Sequence, residues 1–218
     1  MSLVAFTNGR VLQKRQFEAG LAVIANESHI LEVIPAKNLN QDSYEIVDLK
    51  GGYLVPGFID TQVNGGGGVL FNDSPDLDGV KAIVEAHRPF GTTGMLLTLI
   101  SDEIGVIQQG VAAVNAAIEL GVPGVLGIHI EGPSLNLEKR GIHNPAKIQQ
   151  LTKEIVQQLT PVKGGCSVIT IAPETMAPSL IRSLKAKGFI VSSGHSNASY
   201  EQACIAVEYG VSGYTHLF

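Results

Sequence analysis

Two rhythms of apolar residues divide the chain. Up to about residue 54, short apolar runs of strand length are broken by turn residues, and no helical period develops. "LVAFTNGRVL" sets Asn8-Gly9 between two such runs, a pair of residues that closes tight hairpins. "LAVIANESHILEVIP" predicts a second hairpin turning near Asn26, Glu27 and Ser28. "YEIVDLKGGYLVPG" adds strand pieces broken at Gly51-Gly52. After Pro56, apolar runs alternate with stretches of helical period. Strands are predicted over residues 57–63, 94–100, 124–130, 167–173, 188–194 and 211–218, with helices near 76–90, 103–120, 147–160, 177–187 and 198–209. Ser101, followed by Asp102 and Glu103, suits a helix N-terminus. Gly121 and Gly188 suit left-handed helix ends.

Apolar strands that each feed a helix make a parallel sheet. An eight-stranded (β/α) barrel takes about 250 residues, more than the stretch from Pro56 to Phe218 supplies. The pattern therefore leaves two α/β architectures: an open doubly wound sheet, or a truncated TIM-like barrel with about six of its eight strands. The domains read as a small β domain over residues 1–54 and a partial barrel over 55–218.

Composition narrows the partners. The net charge is −5, aromatics are 6% and tryptophan is absent. With no basic run, neither nucleic acid nor an anionic membrane surface is expected as a partner. Cys166 and Cys204 have no CxxC spacing and read as reduced core thiols. No signal peptide and no apolar stretch of membrane-spanning length is visible, so a soluble, cytoplasmic protein is expected.

In parallel α/β folds, chemistry gathers where the strands end. The first strand ends with Asp60, Gln62 and Asn64, then "GGGG". The third ends "HIEGP", the fifth "SSGHSN" and the sixth "YTHLF", offering Glu131, His195 and His216. A lone strand-end histidine is more often structural, and a glycine run without a P-loop lysine is usually a flexible loop. One carboxylate and two imidazoles on one rim, however, make a three-ligand catalytic metal site with a position open for water. His129 shares a strand face with Glu131 and is either a supporting group or an interior polar residue. Asp60 is held as structural or supporting. His143, in "KRGIHNP", lies on a loop able to fold over the metal. His29 and His87 receive no role.

The motifs "PGFIDTQVNGGGG", "GTTGMLLTLI", "GIHIEGPSLN", "KRGIHNP", "APE", "VSSGHSNAS" and "THLF" occur in order. On them the chain resembles the N-acetylglucosamine-6-phosphate deacetylases of the amidohydrolase superfamily, over nearly its whole length. The resemblance implies a metal-dependent barrel. It places one divalent ion, zinc or else iron, on Glu131, His195 and His216. Gln62 and Asn64 stand where many superfamily members carry a His-x-His metal pair, so a single ion with amides near its water is implied. Ile142 and His143 fall on the substrate-contacting loop, His143 polarising the acetamide carbonyl. The substrate implied is a small amino-sugar phosphate, the reaction its deacetylation, and the assembly a homo-oligomer, a dimer. Family members run on well beyond Phe218, so the general-base aspartate is expected beyond residue 218. The chain is expected to be an N-terminal part, inactive alone, with open strand edges that another chain would cover. The rival readings are an amidohydrolase of a cyclic amide or another acetamido sugar, and a non-catalytic metal-binding fragment.

Overall fold

The computed structural model describes residues 3–217. The chain forms two compact units, Met1–Pro56 and Gly57–Phe218. In the first, β1 (Val4–Thr7) pairs with β4 (Leu21–Ala25) and with β6 (Glu45–Asp48), and β5 (Ile30–Pro35) completes a four-stranded sheet. A second sheet of three strands holds β2 (Arg10–Gln13), β3 (Gln16–Ala19) and β7 (Tyr53–Leu54). The hairpin expected at Asn8-Gly9 does not form, because β1 and β2 belong to different sheets. Asn8 does take a left-handed backbone (φ 55°), but the bend it makes sends the chain from one sheet to the other. The tight turn lies instead at Lys14-Arg15, between β2 and β3. The β4–β5 hairpin does turn at residues 26–29, where the Asn26 carboxamide oxygen accepts the Ser28 and His29 N–H groups.

In the second unit, β8 (Phe58–Val63), β11 (Thr92–Leu99), β12 (Val125–Glu131), β13 (Cys166–Ile171), β14 (Ile190–Ser193) and β15 (Val211–Tyr214) form one six-stranded sheet. A small hairpin of β9 (Gly65–Gly66) and β10 (Val69–Leu70) follows β8. The helices are α1 (Leu77–His87), α2 (Ile104–Glu119), α3 (Lys153–Gln158), α4 (Pro178–Ala186) and α5 (Tyr200–Tyr209). All five strand pairings are parallel, and spatial order equals chain order. A doubly wound sheet reverses its order at a switch point; this sheet never does, so it is singly wound, as in a barrel. Consecutive helices α1 and α2, and α3 to α5, pack against one another as in one outer layer. Among the described residues no helix is long and apolar enough to cross a membrane.

Strand alternation sorts the side chains. Leu97, Leu99, Ile128, Ile130, Ile169 and Ile171 enter the apolar core with Ile83, Ile107, Val114 and Ile181 from the helices. The intervening positions on the same strands carry Thr98, His129, Glu131 and Thr170, all buried. The strands thus have an apolar face toward the helices and a polar face away from them.

Four readings need correction. Between residues 147 and 160 only α3 is an α-helix, since Thr152 caps it by accepting the Ile155 N–H and the segment before it is irregular. The glycine run is a hairpin rather than a flexible loop: Gly67 and Gly68 both have positive φ (62° and 82°), the requirement of a two-residue turn of the primed kind. β15 stops at Tyr214 because Thr215 and His216 form a turn; Phe218 lies outside the described residues. Cys166 and Cys204 are free thiols but only partly buried.

Gly127 sits at a register shift between β11 and β12 with φ 154°. A Cβ there would lie 1.9 Å from the Cys166 carbonyl oxygen. Gly127→Ala is therefore expected to cost about 1–3 kcal/mol through backbone displacement. Denaturant unfolding checks this, and a variant as stable as its parent would contradict the packing described.

Candidate metal centre

Glu131 ends β12 at the polar face, 2% exposed. Its two carboxylate oxygens have different neighbours. Oε1 lies 2.8 Å from His216 Nε2 and 3.0 Å from His195 Nε2. Oε2 accepts the Gln62 Nε2–H at 3.1 Å and has His143 Nε2 at 3.6 Å. Burial alone would raise the Glu131 carboxyl. The neighbouring imidazoles of His143, His195 and His216 outweigh it and hold the group well below the usual carboxylate range.

His195 and His216 reach this point from equivalent places, just past the ends of β14 and β15. Both have left-handed backbones, φ 49° and 57°, a conformation that clusters at functional sites because surroundings must enforce it. Their rings meet edge to face, with centroids 5.1 Å apart. Donor atoms of Glu131, His195 and His216 all lie within 4.8 Å of one another.

The proton count at His195 shows what this cluster suits. Its Nδ1 lies 2.8 Å from the Lys139 carbonyl oxygen, which can only accept, so Nδ1 carries a proton. In the neutral ring, Nε2 is then bare and faces an ionised oxygen at 3.0 Å. Two lone pairs so placed need positive charge between them, either a second proton on the ring or a cation. The hydrogen bond to Glu131 raises the His195 pKa, burial opposes it, and the Lys139 carbonyl adds to the rise. One carboxylate oxygen and two imidazole nitrogens fit a divalent ion in chemistry as well as position.

His143 is 2% exposed, although it lies on a loop. Its Nδ1 accepts the Ser101 backbone N–H at 3.1 Å, which puts the ring's proton on Nε2, the atom facing Glu131. The Ser101 hydroxyl lies 2.9 Å from the same Nδ1. Ser101 had read as the start of a helix, but α2 begins at Ile104 and Ser101 serves His143 instead. Nothing local in the sequence marks this use, since the two residues meet only through the sheet.

The remaining candidates divide. Gln62 joins the cluster through Glu131 and lies 3.5 Å from His216 Nε2. No hydrogen bond ties the Asn64 side chain to it; Asn64 Nδ2 is buried without a partner among the described residues. Asp60 accepts the Gln62 N–H at 3.0 Å, a local brace. His129 is buried and sends Nε2 to the Thr170 hydroxyl at 2.7 Å; that hydroxyl meets Thr215, which meets Ser192. Ile142 is 87% exposed. His29 hydrogen-bonds Ser28, and His87 the Gly65 carbonyl.

No protein-family model matches the chain. It is 49% identical over 170 residues to an N-acetylgalactosamine-6-phosphate deacetylase of Shewanella sp. (strain ANA-3), covering 78% of this chain and 43% of that protein. It is 35% identical over 213 residues to an N-acetylglucosamine-6-phosphate deacetylase of Haemophilus influenzae, covering 98% of this chain and 56% of that one. The fold superposes on the crystal structure of N-acetylglucosamine-6-phosphate deacetylase from Pasteurella multocida with a TM-score of 0.90, at 31% identity, over 99% of this chain and 56% of the other. The chain is thus similar in sequence and in fold to the N-acetylhexosamine-6-phosphate deacetylases over 78–99% of its own length. It spans about half the length of the curated relatives it matches.

If a divalent ion is held at this cluster, it must displace the second proton of His195, because ligands bind deprotonated. Glu131 stays ionised throughout, its pKa being lowered. Below the raised His195 pKa, metal affinity is therefore expected to fall about tenfold per pH unit, and to level off above it. Cobalt titrations between about pH 5 and pH 8 check this. A flat profile would show that His195 is not among the ligands.

Proposed function

We propose that the whole protein is a metal-dependent deacetylase of N-acetylglucosamine 6-phosphate, releasing glucosamine 6-phosphate and acetate. The observation that supports this most directly is the convergence of Glu131, His195 and His216 beside the Nε2–H of His143. Glu131, His195 and His216 would hold a single ion, zinc by donor type, with ferrous iron as the alternative. When bound, such an ion lowers the pKa of a water and polarises an amide carbonyl.

The chain's own residues supply the rest. His143, with its proton fixed on Nε2 by Ser101, donates to the acetamide oxygen as negative charge develops there. Gln62 holds Glu131 through its amide and leaves that amide's remaining hydrogen for a water or a substrate oxygen. Asn64 Nδ2, without a partner among the described residues, is a second donor at the same strand end. The exposed side chain of Ile142 offers apolar contact to the sugar. Glu131 is committed to the ion and its histidines, so proton transfer needs another group. We assign that base to an aspartate outside residues 1–218, as the family resemblance implies, and the complete fold to a (β/α)8 barrel.

The 49% identity to the Shewanella enzyme favours a second reading, in which the sugar is N-acetylgalactosamine 6-phosphate. Acetate release by the whole protein, assayed on both sugar phosphates with and without chelator, tests the two together. Cleavage of neither, with metal bound, would refute the proposed activity.

A further inference from the structure

Glu174 takes no part in the chemistry above, yet its carboxylate is fully engaged. It lies just past β13, in Ala172-Pro173-Glu174. Oε1 accepts the Asn197 N–H at 2.6 Å and the Asn136 Nδ2–H at 3.0 Å. Oε2 accepts the Ser196 hydroxyl at 2.6 Å. Asn197 and Ser196 are the two residues after His195.

Asn136 carries the grip further. Its backbone N–H donates to the His195 carbonyl at 3.0 Å. Its side-chain oxygen accepts the Glu138 N–H at 2.9 Å and so caps the short turn Leu137–Lys139. The carbonyl at the end of that turn, on Lys139, is the acceptor for His195 Nδ1. One carboxylate thus secures the backbone after His195 directly, and its carbonyl and ring through Asn136. His195 has a left-handed backbone (φ 49°), which a residue with a side chain keeps only where its neighbours hold it.

We propose that Glu174 is a positioning residue of the metal centre: through Asn136, Ser196 and Asn197 it fixes the backbone and ring of His195 so that Nε2 faces Glu131. This rests on the reading of Glu131, His195 and His216 as metal ligands. Supporting partners of this kind typically change metal affinity by about 10–100-fold. The hydrogen-bond inventory also predicts which substitution is tolerated. In Glu174→Gln, the amide oxygen still serves both N–H donors, and the amide group can donate to the rotatable Ser196 hydroxyl. In Glu174→Ala all three bonds are lost.

Cobalt(II) titration of the full chain, followed by visible absorption, tests this alongside thermal unfolding of the metal-free proteins. Glu174→Ala is expected to raise the cobalt Kd about 10–100-fold with an altered spectrum, and Glu174→Gln to stay close to the parent. A folded Glu174→Ala protein with the parent's affinity and spectrum overturns the proposal, as does equal weakening by Gln and Ala. If Glu174→Ala does not fold, Asn136→Ala takes its place under the same readings. A parent chain that takes up no cobalt would refute the metal centre itself, and this role with it.

Discussion

Glu131→Gln is expected to abolish stoichiometric metal binding. Among the described residues, the Glu131 carboxylate touches both His195 and His216, through a single oxygen. The substitution preserves volume and removes the charge. What remains is two imidazole nitrogens and a neutral amide, whose NH2 group would turn toward the same lone pairs. Removing one member of a buried charged set costs about 3–5 kcal/mol, because its partners are left uncompensated. Metal affinity should fall by more than about 10²-fold, beyond the loss expected for a supporting residue. The His195 pKa, raised chiefly by its hydrogen bond to Glu131, should drop as well. Metal content after dialysis and a cobalt titration read the effect directly; a variant retaining one tightly bound ion would move the centre elsewhere.

His143→Leu in the whole protein should lower turnover by about 10²–10³, the usual loss for one donor at a developing oxyanion. Metal content should stay at the parent's level, because His143 Nε2 is 3.6 Å from Glu131 Oε2 and its ring is set by Ser101 rather than by the ligands. The apolar side chain fills similar space, so the change reports the lost proton donor more than a cavity. Kinetics of acetate release, with metal content measured on the same samples, separates the two effects. An unchanged rate at normal metal content would leave His143 as a buried loop residue with no chemical part.

Much of this was legible from residue order alone. The strands of the sheet announce themselves because β11 to β14 are buried for most of their length, so apolar residues recur along each of them with few charges between. Glu131, His195 and His216 stand out because ionisable groups at such strand ends are costly without a purpose. What escaped was long-range. Asn8-Gly9 has the composition of a hairpin turn, but sheet membership is decided by β4 and β6, which come later in the chain. Ser101 looks like a helix cap until His143, 42 residues on, arrives at its N–H. Glu174 sits in an unremarkable turn, and its importance lies in partners on two other loops. A periodic pattern tells a residue which face it occupies, but not which side chain from another strand will stand opposite.

Because neighbouring strands follow one another in the chain, the sheet can be laid down in order as the polypeptide leaves the ribosome, each strand docking on the one before. The metal centre cannot be assembled that way. Glu131 emerges 85 residues before His216, an interval of roughly 4–17 s at ordinary rates of translation. When Glu131 emerges only Gln62 of its four partners has been made, and the carboxylate must keep water around it until the histidines follow. With Glu131, His195 and His216 as its ligands, the pocket would hold an ion no earlier than the synthesis of His216.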